Sequence, residues 1–186
     1  GACRQAGVSV HGTGINPGFV MDVLPMMLTA ACSRVDAVVV TRVIDARARR
    51  LPFQQKIGAG LTPAQFAAQV IGGTVRHVGF AQSIRFLADA MGWHLDRVTE
   101  DVRPKIAAET VASELLAVDP GYVSGLLQDA VGYRRGRALV RLHLEAYLGA
   151  PDSYDSVLIE GSPRVSMTIS GGVPAGANTA KYAISS

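Results

Sequence analysis

Two stretches of the chain concentrate residues able to bind or react. Residues 11–19 read HGTGINPGF, with three glycines, an asparagine and a proline just ahead of an apolar run. Glycines let a backbone come close to a ligand, and a helix start offers unpaired amides with a partial positive charge. Asn16 suits an N-cap and Pro17 the first helical position, where no amide hydrogen is needed. Two uses stay open: a wall against a ligand that is negative or carries an amide, or a plain turn and cap. The stretch is not the dinucleotide fingerprint GxGxxG, because GTG lacks the third glycine at the required spacing. Residues 45–60, DARARRLPFQQKIGAG, form the second stretch. Arg47, Arg49, Arg50 and Lys56 crowd into it ahead of a glycine-rich turn. Charge-assisted hydrogen bonds from such a loop suit a carboxylate or phosphate. The alternative is a solvated basic loop in which Asp45 pairs locally.

Other chemistry finds little support. His11, His77, His94 and His143 show no metal-ligand spacing among themselves or with Cys3 and Cys32, so no metal site is expected. No serine sits in a nucleophile elbow. Glu100 with Asp101, and Glu109 with Glu114, read as solvated faces rather than paired catalytic carboxylates. A net charge of +3, dispersed and with only 6% aromatic residues, argues against a nucleic-acid partner. The 48% apolar content is that of a folded globular chain. No apolar run approaches the roughly 18 residues a membrane span requires, and no signal peptide is expected at the N-terminus. Two cysteines make no disulfide framework, so a reducing, cytoplasmic setting is expected.

The elements that must position these residues follow from periodicity. Phe19, Val20, Val23, Leu24, Met27, Leu28 and Ala31 recur at helical spacing, and Pro25 inside the run predicts a bend or a lost hydrogen bond. Residues 37–44 (AVVVTRVI) are β-branched enough for a strand covered on both faces. Thr62, Pro63 and Gln65 predict a capped helix that Gly72 and Gly73 end. Phe80, Ile84, Leu87, Ala88 and Met91 make one stripe of a further helix stopping at Gly92. Residues 95–109 are expected to be extended. In residues 137–149, Val140, Leu142, Leu144, Ala146 and Leu148 alternate with Arg141, His143, Glu145 and Tyr147. That alternation predicts a half-solvated antiparallel strand, or one at a subunit contact. DSVLIEG and RVSMTIS predict two more strands. At the start, CRQAG reads as a helix end and VSVHG as a short strand; at the close, a glycine-rich turn leads into a helix start. The sum is an α+β fold, a mixed or antiparallel sheet with helices largely on one face.

GTGINPGFVMDVLP, VIDARARRLPFQQKIGAGLT, EAYLGAPDSYDSVLIEGSP and ISGGVPAGANTA together resemble the C-terminal domain of 2,4-diaminopentanoate dehydrogenase and of related native amine dehydrogenases. That group is similar in layout to dihydrodipicolinate reductase, and the resemblance runs over nearly the whole chain. It implies NAD(P)-dependent oxidoreductases in which a Rossmann domain precedes an α+β domain carrying substrate contacts and the oligomer interface. Residues 1–16 would then end a Rossmann domain absent from this chain. Residues 17–172 would bind substrate and oligomerise, and 173–186 would begin a helix returning to the first domain.

Carried over by position, Gly12, Thr13, Gly14, Asn16, Pro17 and Gly18 would lie by the nicotinamide of NAD or NADP. Thr13, Asn16 and Phe19 would frame the substrate pocket, and Arg42, Arg49 or Lys56 would meet an acidic group. Asp45, Ala46 and Arg47 stand where dihydrodipicolinate reductases carry paired histidines, and KIGAG replaces their Ser-Gly-Thr turn. The departure favours an amine or diamino-acid substrate. The acidic residue that handles the amine would lie in the absent domain, so no catalytic residue is assigned here. The expected protein is the substrate-binding and oligomerising half of an amine or amino-acid dehydrogenase, inactive by itself, with no nucleic-acid or membrane partner. It would form a homodimer or higher homo-oligomer through its sheet. The rivals are a non-catalytic module that dimerises or binds a small acid, and a dihydrodipicolinate reductase-type enzyme.

Overall fold

The computed structural model describes residues 5–8 and 14–174. The expected strand at VSVHG, the closing helix start, Gly12, Thr13 and Cys3 lie outside the described residues. One six-stranded sheet organises the rest, in the order β2-β5-β6-β1-β7-β8. Its strands are β1 (Arg34–Asp45), β2 (Arg97–Ile106), β5 (Val123–Arg134), β6 (Arg137–Tyr147), β7 (Tyr154–Ser162) and β8 (Val165–Ser170); β3 (Val111–Ala112) and β4 (Ala117–Val118) make a small hairpin. The central pair β1/β6 is parallel and every other pairing is antiparallel, so the sheet is mixed. The strand read as antiparallel at residues 137–149 is therefore antiparallel only on its β5 side. β5 and the hairpin have no counterpart in the periodicity read above.

Within residues 14–174 four α-helices accompany the sheet: α1 (Val23–Thr29), α2 (Leu51–Lys56), α3 (Pro63–Ile71) and α4 (Phe80–Ala90). They pack over one face. Val38, Val40, Val140, Leu142, Leu144, Val157 and Ile159 share a core with Phe66 of α3 and with Phe80, Ile84 and Leu87 of α4. Gly132 lets α4 approach that closely, since a Cβ there would lie 2.7 Å from Ile84 Cγ2. The capping box expected at α3 is present: Thr62 accepts the Gln65 N–H at 3.2 Å, and Gln65 Oε1 accepts the Thr62 N–H at 2.9 Å.

The first helix starts later than its periodicity implies. Turns fill residues 15–22, and the Asn16–Pro17 peptide is cis. The cap is Asp22, not Asn16. Its buried carboxylate accepts the Val23 N–H at 2.7 Å, the Gly18 N–H at 2.8 Å and the Ser83 hydroxyl at 3.0 Å. With three acceptor bonds the Asp22 carboxylate fixes the loop more firmly than an asparagine cap. Pro25 consequently falls in the first turn, where amide hydrogens have no intrahelical partner, and breaks nothing.

Candidate functional site

The helix-facing side of the sheet is not apolar throughout. Register places Gln128 of β5, Leu144 of β6, Arg42 of β1 and Asp155 of β7 in one row across it. Gln128, Arg42 and Asp155 are all buried. Arg42 Nη1 donates to both Asp155 oxygens at 3.0 Å, and Nη2 donates to the Val173 carbonyl at 2.7 Å. The Asp155 carboxylate also accepts the Val173 N–H. Burial lowers the Arg42 pKa and raises that of Asp155; their mutual charge and hydrogen bonds act the other way.

Beside this row, at the carboxyl ends of the parallel pair, lies a cavity of about 510 Å³. Its floor is apolar: Ile44 from β1, Leu126 from β5, Leu144 and Ala146 from β6. Among the described residues five cations line it (Arg42, Arg49, Arg50, Lys56 and Arg76), and no carboxylate does. Among the described residues no carboxylate lies within ion-pair reach of Arg50, Lys56 or Arg76. Arg49 sits over the Phe53 ring, 5.8 Å from its centre. Burial lowers its pKa, and the Asp155 charge opposes that shift. Arg42 is buried and paired with Asp155, Arg49 is half-buried, and Arg50, Lys56 and Arg76 are exposed; an anion offsets the repulsion among such neighbouring cations, and guanidinium forks match a carboxylate.

The basic loop reaches the cavity because a buried amide shapes it. Gln54 of α2 is fully buried. Its Nε2 donates to the carbonyls of Ala46 at 3.1 Å and Arg49 at 2.8 Å, while its Oε1 accepts the Ser113 hydroxyl at 2.9 Å. The loop divides in use. Arg47 pairs with Asp45 at 2.6 Å, the local pairing left open above, and does not line the cavity. Asp45 in turn accepts the Arg47 and Gly149 N–H groups, which hold its carboxyl below the usual range although burial alone would raise it. Asp45, Ala46 and Arg47 are thus structural: Asp45 and Arg47 are paired within their own loop and Ala46 is buried.

The cavity brings together Asn16, Arg42, Arg49 and Lys56 of the expected site residues. Gly14, Pro17 and Gly18 stand in the same loop without lining it. Gly18 gives its amide to Asp22, and the Pro17 ring packs on Gly79. Phe19, expected as a pocket wall, is exposed and does not line the cavity; the buried Asp22 carboxylate anchors the turn so that Phe19 faces outward. Arg50, a cation of the basic loop, lines it too, and Phe53, Arg76 and His77 are lining residues that the sequence did not single out for the pocket.

His77 is held from behind. Gln128 Oε1 accepts its N–H at 2.7 Å, and Gln128 Nε2 donates to its carbonyl at 2.8 Å. The imidazole meets the Phe80 ring edge-on at 5.3 Å. Burial pushes its pKa down to about 4, Lys56 and Arg42 push the same way, and a hydrogen bond with the Asn16 backbone opposes them. The ring is therefore neutral at pH 7. A signal for these residues does exist: Arg42, Gln128 and Asp155 are polar at positions whose strand neighbours at spacing two are apolar. Arg76 and His77 lie in a segment between helices and leave no such mark.

A family model described as the 2,4-diaminopentanoate dehydrogenase C-terminal domain matches residues 19–186 of the chain. Over 182 residues the chain is 32% identical to 2,4-diaminopentanoate dehydrogenase of Acetoanaerobium sticklandii, covering 95% of this chain and 52% of that protein. It is 24% identical over 182 residues to amine dehydrogenase of Streptomyces virginiae, covering 90% and 51% respectively. The chain thus spans about half the length of the curated relatives it matches. Among solved structures, amine dehydrogenase from Mycobacterium smegmatis shares the fold, with a TM-score of 0.77 at 20% identity over 91% of this chain and 51% of that one.

Proposed function

Because the chain belongs to the family of 2,4-diaminopentanoate dehydrogenase C-terminal domains, we propose that it is the substrate-binding and oligomerising half of an NAD(P)-dependent oxidoreductase acting on an amine or diamino acid. The observation that carries the reading is the cavity walled by five cations and no carboxylate over an apolar floor. A carboxylate-bearing amine fits it: the acid against Arg49, Arg50, Lys56 and Arg76, the carbon chain on Ile44, Leu126, Leu144 and Ala146. Arg42 acts mainly as an anchor, since Asp155 and Val173 occupy its fork.

The nicotinamide supplies the hydride acceptor when it is bound. Binding of NAD(P) falls mostly to a Rossmann half outside these 186 residues, and the loop at Gly14, Asn16, Pro17 and Gly18 borders the ring from this side. The fit rests on Asn16, whose side-chain oxygen is buried with no protein partner at the cavity wall. Phe19 belongs to the surface that this other half covers. What the present chain contributes is orientation: a fixed acid end places the amine-bearing carbon, and immobilised geometry lowers the barrier to transfer. A dihydrodipicolinate reductase-type reaction is disfavoured, because Asp45, Ala46 and Arg47 stand where the resemblance puts the paired histidines, and all three are structural.

The second half of the role is assembly. The sheet face away from the helices carries Val39, Thr41, Leu127, Val131 and Leu158, interspersed with Arg141, Asp129, His143 and Glu145. We assign it to a second copy of the chain, because half-buried apolar residues and charges of both signs make the face self-complementary.

The test uses the enzyme assembled from this chain and its nucleotide-binding half, followed by NAD(P)H absorbance. Arg49→Met combined with Lys56→Met raises KM for 2,4-diaminopentanoate about tenfold or more and does not raise KM for an alkylammonium that lacks a carboxylate. An equal effect on both substrates rejects the carboxylate role. Absence of any turnover, with small acids still bound, favours the non-catalytic acid-binding module.

A further inference from the structure

A polar row crosses the outer face of the sheet from edge to edge. Register aligns Asp101 of β2, Asp129 of β5, His143 of β6, Thr41 of β1, Ser156 of β7 and Thr168 of β8. Apolar residues flank its centre, Val131, Val39 and Leu158 in the row on one side and Leu127, Val43 and Tyr154 in the row on the other.

The contacts of His143 depend on its charge. Nδ1 stands 2.6 Å from Asp129 Oδ1, and Nε2 stands 3.0 Å from Glu145 Oε1. Ionised carboxylates only accept, so both contacts are hydrogen bonds only when the ring carries two N–H groups, as imidazolium. A neutral ring has one N–H and turns a lone pair toward the second carboxylate. Burial alone would lower the His143 pKa, but Glu145 and Asp129 hold it above the ordinary histidine value.

The charged groups around the ring do not balance without it. Asp129 faces it from β5, Arg141 and Glu145 flank it on β6, and Asp101 and Arg103 of β2 stand beyond Asp129. Arg103 bonds Asp101 at 3.0 Å and also bonds Asp129. From β1, β7 and β8 only hydroxyls share the row. Farther along the face, Lys105 is matched by Asp45 and Arg97 by Glu160. Three carboxylates therefore surround two guanidinium groups, and a protonated His143 brings the patch to neutrality. A two-fold axis sets this patch against its own copy. With neutral rings, an excess of negative charge meets the same excess where water is excluded; with imidazolium rings, two internally paired clusters meet.

We propose that association of two copies through this face is proton-linked, with His143 as the switch: the copies join while the ring is imidazolium and separate as it loses its proton. The inference rests on the reading of this face as the contact between two copies. Separation releases protons, so affinity falls as pH rises past the His143 midpoint.

Sedimentation equilibrium on this chain tests it, on either side of the His143 midpoint that NMR of the ring locates. The dimer Kd is expected to be about tenfold or more larger well above the midpoint than well below it, tenfold being the effect of one pKa unit displaced on association. His143→Gln is expected to keep the weak value at every pH, and His143→Lys, a permanent cation between the same carboxylates, the tight one. Equal Kd on both sides of the midpoint, in a chain that associates, overturns the inference and leaves the face as the contact. A pH response that persists in His143→Gln belongs to another group and overturns it too. So does a His143→Lys chain as weak as His143→Gln, which makes the shape of the ring the cause and not its charge. A monomer at every pH rejects the face itself, and the inference falls with it.

Discussion

At the scale of single residues, Arg42 and Asp155 decide the most. They face each other across β1 and β7, with side chains 3% and 1% exposed. A buried ion pair adds little net stability, but removing one partner strands a charge in a dry interior. Asp155→Ala is expected to cost about 3–5 kcal/mol, read as a shift in the urea midpoint. The double replacement Arg42→Met with Asp155→Leu should recover most of it. If the double variant is as unstable as the single one, the pair contributes shape rather than charge compensation. Asp155 also holds the Val173 N–H, so the single variant loosens the segment after β8.

At the scale of elements, the joint between the first loop and α4 matters most. Gly79 is the N-cap of α4 with φ of 107°, a backbone region that favours glycine, and the Pro17 ring fills the space where a Cβ would stand, 2.5 Å away. Asp22 bonds Ser83 of the same helix at 3.0 Å. Together these contacts clamp the Asn16 turn against α4 and set one wall of the cavity. Gly79→Ala should therefore destabilise by about 2 kcal/mol or more, from strain and overpacking combined. It should also weaken binding of a small carboxylate in the cavity, because Asn16, one of its lining residues, moves with Pro17. Thermal unfolding and calorimetry measure the two effects; an unchanged melting temperature would show that the loop yields freely.

At the scale of the whole molecule, the helices cover one sheet face and leave the other open, the face proposed above for a second copy. His143 lies on that outer face between Asp129 at 2.6 Å and Glu145 at 3.0 Å, and Arg103 bonds the same Asp129. Burial alone would lower the His143 pKa, yet hydrogen bonds and charge from Glu145 and Asp129 raise it above its ordinary value. Polar groups of both signs already paired on one copy meet a two-fold related copy at low cost. Sedimentation equilibrium should give a multiple of the chain mass, and Leu158→Arg in the middle of the face should reduce it to the monomer mass with an unchanged circular dichroism spectrum. A monomer for the unaltered chain would reject assembly through this face.

Much of this architecture is local enough to be read from residue order. The α3 capping box, the α4 stripe and the inward parity of β6 need only neighbours three or two positions away. The basic loop declares its charge in the same way. Its division is not local: Arg47 turns to Asp45 and Arg49 to the cavity because Gln54 and Ser113 fold the loop between them. The later start of α1 escapes for a related reason, since Asp22 outcompetes Asn16 as cap only with Ser83 beside it. His77 reaches the site through Gln128, a contact spanning 51 residues. Residue order by itself determined most of the elements, the fold class and the family, because periodicity, caps and motifs are short-range; β5, the small hairpin and the start of α1 were not among them. Tertiary structure alone decided which cations share a cavity and which residues close it, because those depend on strand register and on contacts between distant segments.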